Sequence, residues 1–108
     1  MNIRILTGSL ASVTKSANEL IRENPNWKPV ALAAASPTKA TVAMNLDESG
    51  EKRVAEIQLL GGAPDKLEQK LGEITNPAWS VASIATTASS EKSKAEPASI
   101  ILITLPVL

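Results

Sequence analysis

The sequence predicts a small α+β domain built from two β-α-β-β units in tandem. Three observations carry this. Hydrophobic periodicity switches between two and about 3.6 residues in the same order in both halves. The motif Asn-Pro-x-Trp occurs twice, at Asn24–Trp27 and Asn76–Trp79. Apolar positions upstream of the motif keep step at a near-constant shift. The expected architecture is a two-layer sandwich with a mainly antiparallel sheet of about six strands and two helices on one face. The 108 residues then form one pseudo-two-fold domain, with repeat 1 over 2–47 and repeat 2 over 53–108.

Asn2–Thr7 reads as a strand, with Ile3 and Ile5 on one face and Arg4 and Leu6 on the other. Gly8-Ser9 breaks it, and Ser9 suits a helix N-cap because its hydroxyl can accept from a free amide of the first turn. Leu10–Glu23 reads as a helix whose Leu10, Val13, Ala17, Leu20 and Ile21 form the apolar stripe. Asn24-Pro25 ends it, since the residue before proline is pushed out of the α region. Trp27–Ser36 and Lys39–Leu46 read as strands joined by a turn at Ser36-Pro37-Thr38.

The pattern then restarts. Arg53–Leu60 reads as a strand, broken by Gly61-Gly62. Pro64 suits the first turn of a second helix, with Leu67, Leu71 and Ile74 as its stripe and Asn76-Pro77 as its stop. Trp79–Thr87 and Ala98–Val107 read as strands, separated by a polar connection over Ala88–Pro97. Between halves the Asn-Pro-x-Trp motifs are shifted by 52 positions, which also sets Leu32 on Ile84. Upstream the shift is 54, so Ile3, Ile5, Leu6 and Gly8 meet Ile57, Leu59, Leu60 and Gly62. Two residues are lost between helix and proline in the second copy, which alters the exit of that helix.

In each unit the first and second strands run parallel through a right-handed crossover, and the third fits between them in the order 1-3-2. The units then pair edge to edge into one six-stranded sheet, or stack as two three-stranded sheets. Val30, Leu32 and Ala34 on one side of the second strand, and Ala31, Ala33 and Ala35 on the other, make it apolar on both faces. Ile100–Leu105 is likewise apolar on both faces. Such strands are usually buried on both sides. Cover must come from the stacked half, another subunit or a ligand, so a homo-oligomer, most simply a dimer, is expected.

Composition narrows the chemistry. Lys+Arg and Asp+Glu are both 11, so the net charge is zero and no electrostatic footprint for nucleic acid or anionic membrane is evident. With no His and no Cys, the commonest general base, thiol nucleophiles and thiolate metal sites are excluded. Trp27 and Trp79 are the only aromatics, too few for a multi-base stacking surface. No signal peptide pattern is present, and Ser99–Leu108 is far shorter than the ~20 residues that span a bilayer. A cytoplasmic protein of microbial or phage origin is expected.

Other candidates read as ordinary structure. Gly61-Gly62 ahead of a helix has the look of a phosphate loop but matches no nucleotide fingerprint, and a tight turn suffices. Asp47, Glu48, Glu51 and Glu56 follow no metal-loop spacing and alternate with Lys52 and Arg53. Asp65, Lys66, Glu68, Gln69 and Lys70 form a mixed-charge outer helix face. Ser89–Lys94 has the composition of a mobile loop.

Trp27 and Trp79 are the candidate ligand-binding residues. Each suits the junction of helix and strand, where the ring covers the helix end and the indole N–H finds a carbonyl. A Trp early in the second strand of a β-α-β-β unit also resembles the dodecins. In those small flavin-binding proteins that Trp stacks on the flavin. The resemblance rests on topology alone, and dodecins carry one unit per chain. It implies a stacking role for Trp27 and Trp79. The expected function is therefore non-enzymatic, without cofactor or metal: self-assembly, or contact with an unidentified protein partner, through an apolar sheet face. The alternative is binding of a small planar, flavin- or nucleotide-like ligand at the two tryptophans.

Overall fold

The structure, a computed structural model, describes residues 2–49, 53–87 and 98–107. It is α+β: six strands in two antiparallel three-stranded sheets, with two helices. The first half contains β1 (Ile3–Ser9), α1 (Leu10–Glu23), β2 (Trp27–Ser36) and β3 (Lys39–Leu46). The second contains β4 (Val54–Gly62), α2 (Pro64–Gly72), β5 (Ser80–Thr86) and β6 (Ser99–Pro106). The sheet orders are β1-β3-β2 and β4-β6-β5, so each half has the 1-3-2 topology. The stacked alternative is thus the one observed. The Ala88–Pro97 connection, including Ser89–Lys94, and Glu51 and Lys52 lie outside the described residues.

Helix α1 starts and stops where local chemistry requires. Ser9 Oγ accepts the Ser12 amide at 3.2 Å, and the Asn24 amide closes the last turn onto Leu20. Val13, Ala17 and Ile21 are buried against Ala40, Val42 and Met44 of β3. In α2, Pro64 occupies the first turn and Leu67 is buried against Ile101 and Ile103.

The glycines expected to break β1 and β4 instead lie inside them. Gly8 has φ 143° and Gly62 has φ 152°, a region open to glycine and closed to most side chains. The backbone stays extended there, so Gly8 still pairs with Ala40 and Gly62 with Ser99. Both strands therefore run two residues further than expected and hand over directly to their helices.

The two halves meet front to back. The front of each sheet is the side its own helix covers. Val42 and Met44 face α1, and the matching Ile101 and Ile103 face α2. The back of the second sheet, with Ile57, Leu59, Ile100 and Leu102, joins the core that holds α1 and the front of the first sheet. Hence α1 and α2 lie on opposite sides of β6, rather than sharing one face. A two-fold relation would bring like surfaces together. Here unlike surfaces meet, because β6 is apolar on both faces and each needs cover.

The joint is specific. Asn18 of α1 donates its side-chain amide to the Ile57 carbonyl at 3.1 Å and accepts the Ile57 amide at 2.9 Å. One side chain thereby satisfies two backbone groups on the free edge of β4. Nearby, a methyl group on Gly61 would stand 2.6 Å from the Pro37 carbonyl oxygen and 2.9 Å from Leu10 Cδ1. Glycine is needed there for close approach of the two halves.

Asn18→Ala is expected to lower the unfolding free energy by about 1–3 kcal/mol in urea titration, because both Ile57 groups lose their partner. Asn18→Asp sets a carboxylate against the Ile57 carbonyl, which raises its pKa in the folded state. Its deficit relative to the parent should therefore be largest at neutral pH and shrink as pH falls through that raised value. Equal stability of parent and Asn18→Ala would exclude the clamp.

Candidate functional site

Both candidate tryptophans are set by the same local turn. Asn24 Oδ1 accepts the Asn26 amide at 3.0 Å, and the Asn24 carbonyl accepts the Trp27 amide at 3.1 Å. In the second half Asn76 Oδ1 accepts the Ala78 amide at 2.9 Å, and its carbonyl accepts the Trp79 amide at 3.3 Å. The motif folds this way because an Asn side chain mimics a backbone turn while proline holds φ and needs no donor partner.

The surroundings of the two rings differ. Trp27 is half-buried, opens β2 opposite Leu46, and packs on the core around α1. Beside it Lys28 forms an ion pair with Asp47, whose amide bonds the Asn26 carbonyl at 3.0 Å. Trp79 is also half-buried but borders an open groove of about 230 Å³ with Leu71, Ile74, Pro77, Val81 and Ile103. The rings belong to separate clusters, so the structure does not bring them together into one site.

Helix length explains the groove. The fourteen residues of α1 span about 21 Å, but the nine of α2 span only about 13 Å. The second helix stops at Gly72, and Ile74 continues its stripe in irregular chain. It leaves β5 largely uncovered, with Val81 and Ile84 exposed.

A second uncovered surface lies on the back of the first sheet. Strand pairing sets Ile5, Ala43 and Ala31 in one row, and Thr7, Thr41 and Ala33 in the next. Ile3, Ile5, Ala31 and Ala33 are exposed, as is Val30 in the β2 bulge. The Thr7 and Thr41 hydroxyls bond each other at 2.9 Å, which reduces the polarity this face presents. Lys28 and Lys39 stand at its two ends. Expecting both faces of β2 to be covered fails here: the Ala31 and Ala33 side is open, whereas β6 is buried on both sides.

The remaining candidates resolve into structure. Gly61 and Gly62 are used by packing and backbone conformation, as above. Asp47 is held by Lys28 and Ser49, while Glu48 and Glu56 are exposed. Among the described residues no group of three or more His, Cys, Asp or Glu side chains could hold a metal ion. Among them, too, no helix is long and apolar enough to cross a membrane. A cleft of about 550 Å³ along α1 and β4, lined by Leu10, Thr14, Lys15, Gln58 and Leu59, brings together no reactive pair.

No protein-family model, no curated protein and no solved structure matches this chain.

The hydrogen bond from Lys28, then those from Ser49, hold the Asp47 carboxyl well below its ordinary 3.8, at about 2. A carboxyl depressed in the folded state stabilises it above the unfolded pKa, and that stabilisation is lost as pH falls from about 4 to about 2. An NMR titration should place Asp47 near 2, and Lys28→Met should move it up toward the ordinary value. An ordinary value in the parent protein would rule the pairing out.

Proposed function

We propose that this protein works without catalysis, as an interaction module whose contact surface is the back of the β1-β3-β2 sheet. The observation that carries this is the exposure of Ile3 and Ile5 on one alanine-lined sheet face, with Val30 exposed in the adjoining β2 bulge. Ile3 is 40 %, Val30 55 % and Ile5 63 % exposed. Contiguous apolar surface of this kind marks an interface on soluble proteins. The neutral net charge favours no strongly charged partner. Self-association is the simplest use of the face. In sedimentation equilibrium between about 1 and 100 μM, the range of contacts of modest strength, the protein should associate. Ile5→Lys should weaken that association at least about tenfold, or 1.4 kcal/mol, without lowering thermal stability. A monomer throughout that range would overturn self-association.

The groove at Trp79 favours a second reading, a small planar ligand held against one indole. Its volume is below the ~300 Å³ usual for ligand pockets, so one ring system is the most it takes. Riboflavin titration should quench tryptophan emission in the parent and in Trp27→Phe, but not in Trp79→Phe. Unchanged emission in all three removes the ligand reading for flavins.

A further inference from the structure

Two open apolar surfaces among the described residues are related by the register of the two halves. Ile3 and Ile5 correspond, at the shift of 54, to Ile57 and Leu59. Strand pairing sets Thr41 and Ala43 at the places of Ile100 and Leu102. The exposed back of the first sheet is therefore the counterpart of the back of the second sheet. Within the chain, that second back is the surface buried on the front of the first sheet.

The receiving side has a counterpart too. Ile84 corresponds, at the shift of 52, to Leu32, and Val81 to Pro29. Leu32 is half-buried on the front of the first sheet, against the shared core. Ile84 and Val81, on the front of the second sheet, are 60 % and 55 % exposed. One end of the molecule thus presents an uncovered back, and the other an uncovered front. Four of the six large exposed hydrophobic residues among the described residues, all except Val30 and Val107, belong to these two surfaces.

Resting on the proposal that the back of the first sheet is a contact surface, we infer that its occupant is a second copy of this chain, docked front to back. The Ile3/Ile5 face of one copy sits on the Val81/Ile84 side of the next, repeating between chains the stack each chain already contains. The contact is heterologous, so it propagates into a filament, or a ring where the rotation closes. It is weaker than the intrachain joint for two reasons. Gly72 stands where the clamp residue Asn18 would be, so no side chain there satisfies the docking edge. Thr7 stands at the place of Gly61, adding a side chain where the internal joint has room for none. Association is therefore reversible and concentration-dependent.

Two variants block the two ends separately. Ile5→Lys spoils the back of the first sheet and leaves Val81 and Ile84 intact, and Ile84→Lys does the reverse. Both positions are exposed in the monomer, and circular dichroism melting checks that each variant folds. The parent should grow past a dimer as concentration rises, in sedimentation velocity. Each variant alone should stay monomeric over the same range. Mixed one to one, they should form a dimer that grows no further, because it holds a single matched pair of faces. If the parent stops at a dimer that Ile84→Lys leaves unaffected but Ile5→Lys abolishes, like faces meet. That outcome overturns the front-to-back stack while the contact-surface reading stands. A parent that stays monomeric overturns the stack, and self-association with it, while leaving the face open to an unlike partner. An Ile5→Lys variant that associates like the parent overturns both the stack and this face as the self-contact.

Discussion

Strand β6 sets the condition the rest of the molecule meets. Ser99 through Ile103 are all buried, so both faces of this one strand are removed from water. Burying its four Ile and Leu side chains contributes on the order of 10 kcal/mol before entropy is counted. That is comparable to the whole net stability of an ordinary domain. An antiparallel sheet with a single helix layer can cover only one face of its central strand. The second sheet must therefore lie between two layers, α2 on one side and the first half of the chain on the other. The front-to-back packing follows from this, and so does the division of six strands into two sheets.

The central strand of the first sheet faces no such demand. In β3, Ala40, Val42 and Met44 turn to the core, while Thr41, Ala43 and Asn45 turn outward at half exposure. The contrast between β3 and β6 is local composition answering different surroundings within one topology. The Asn18 clamp and the close contact at Gly61 then fix how the halves sit, because one supplies the hydrogen bonds the β4 edge lacks and the other allows backbone to meet backbone. Free edges are a general liability of sheets. In this molecule a helix side chain takes the place of a neighbouring strand along part of β4.

Much of this was legible in the sequence. Periodicity, Ser9 and Asn24-Pro25 locate α1 to the residue, and β2 and β3 likewise begin and end where their patterns do. The two Asn-Pro-x-Trp motifs form matching turns. The glycine junctions were misread because glycine weakens strands in general, whereas Gly8 and Gly62 adopt a conformation that keeps them paired. The role of Asn18 left no trace, since a polar residue beside an apolar stripe looks like surface until its partner strand is in place. The unequal fates of Trp27 and Trp79 were partly readable. Two residues missing after the second helix signal a changed exit, but the groove appears only once α2 is seen to stop short of β5.

The double burial of β6 also bears on how the chain comes to be folded. Of the described elements β6 is made last, and the ribosome releases residues in order. Until it emerges, β4 and β5 have no strand to pair with, Leu67 of α2 lacks Ile101 and Ile103, and the core around α1 lacks Ile100 and Leu102. Both cores are completed only by this last strand. The nascent chain thus carries exposed apolar surface through most of its synthesis, the interval in which aggregation or a chaperone competes with folding.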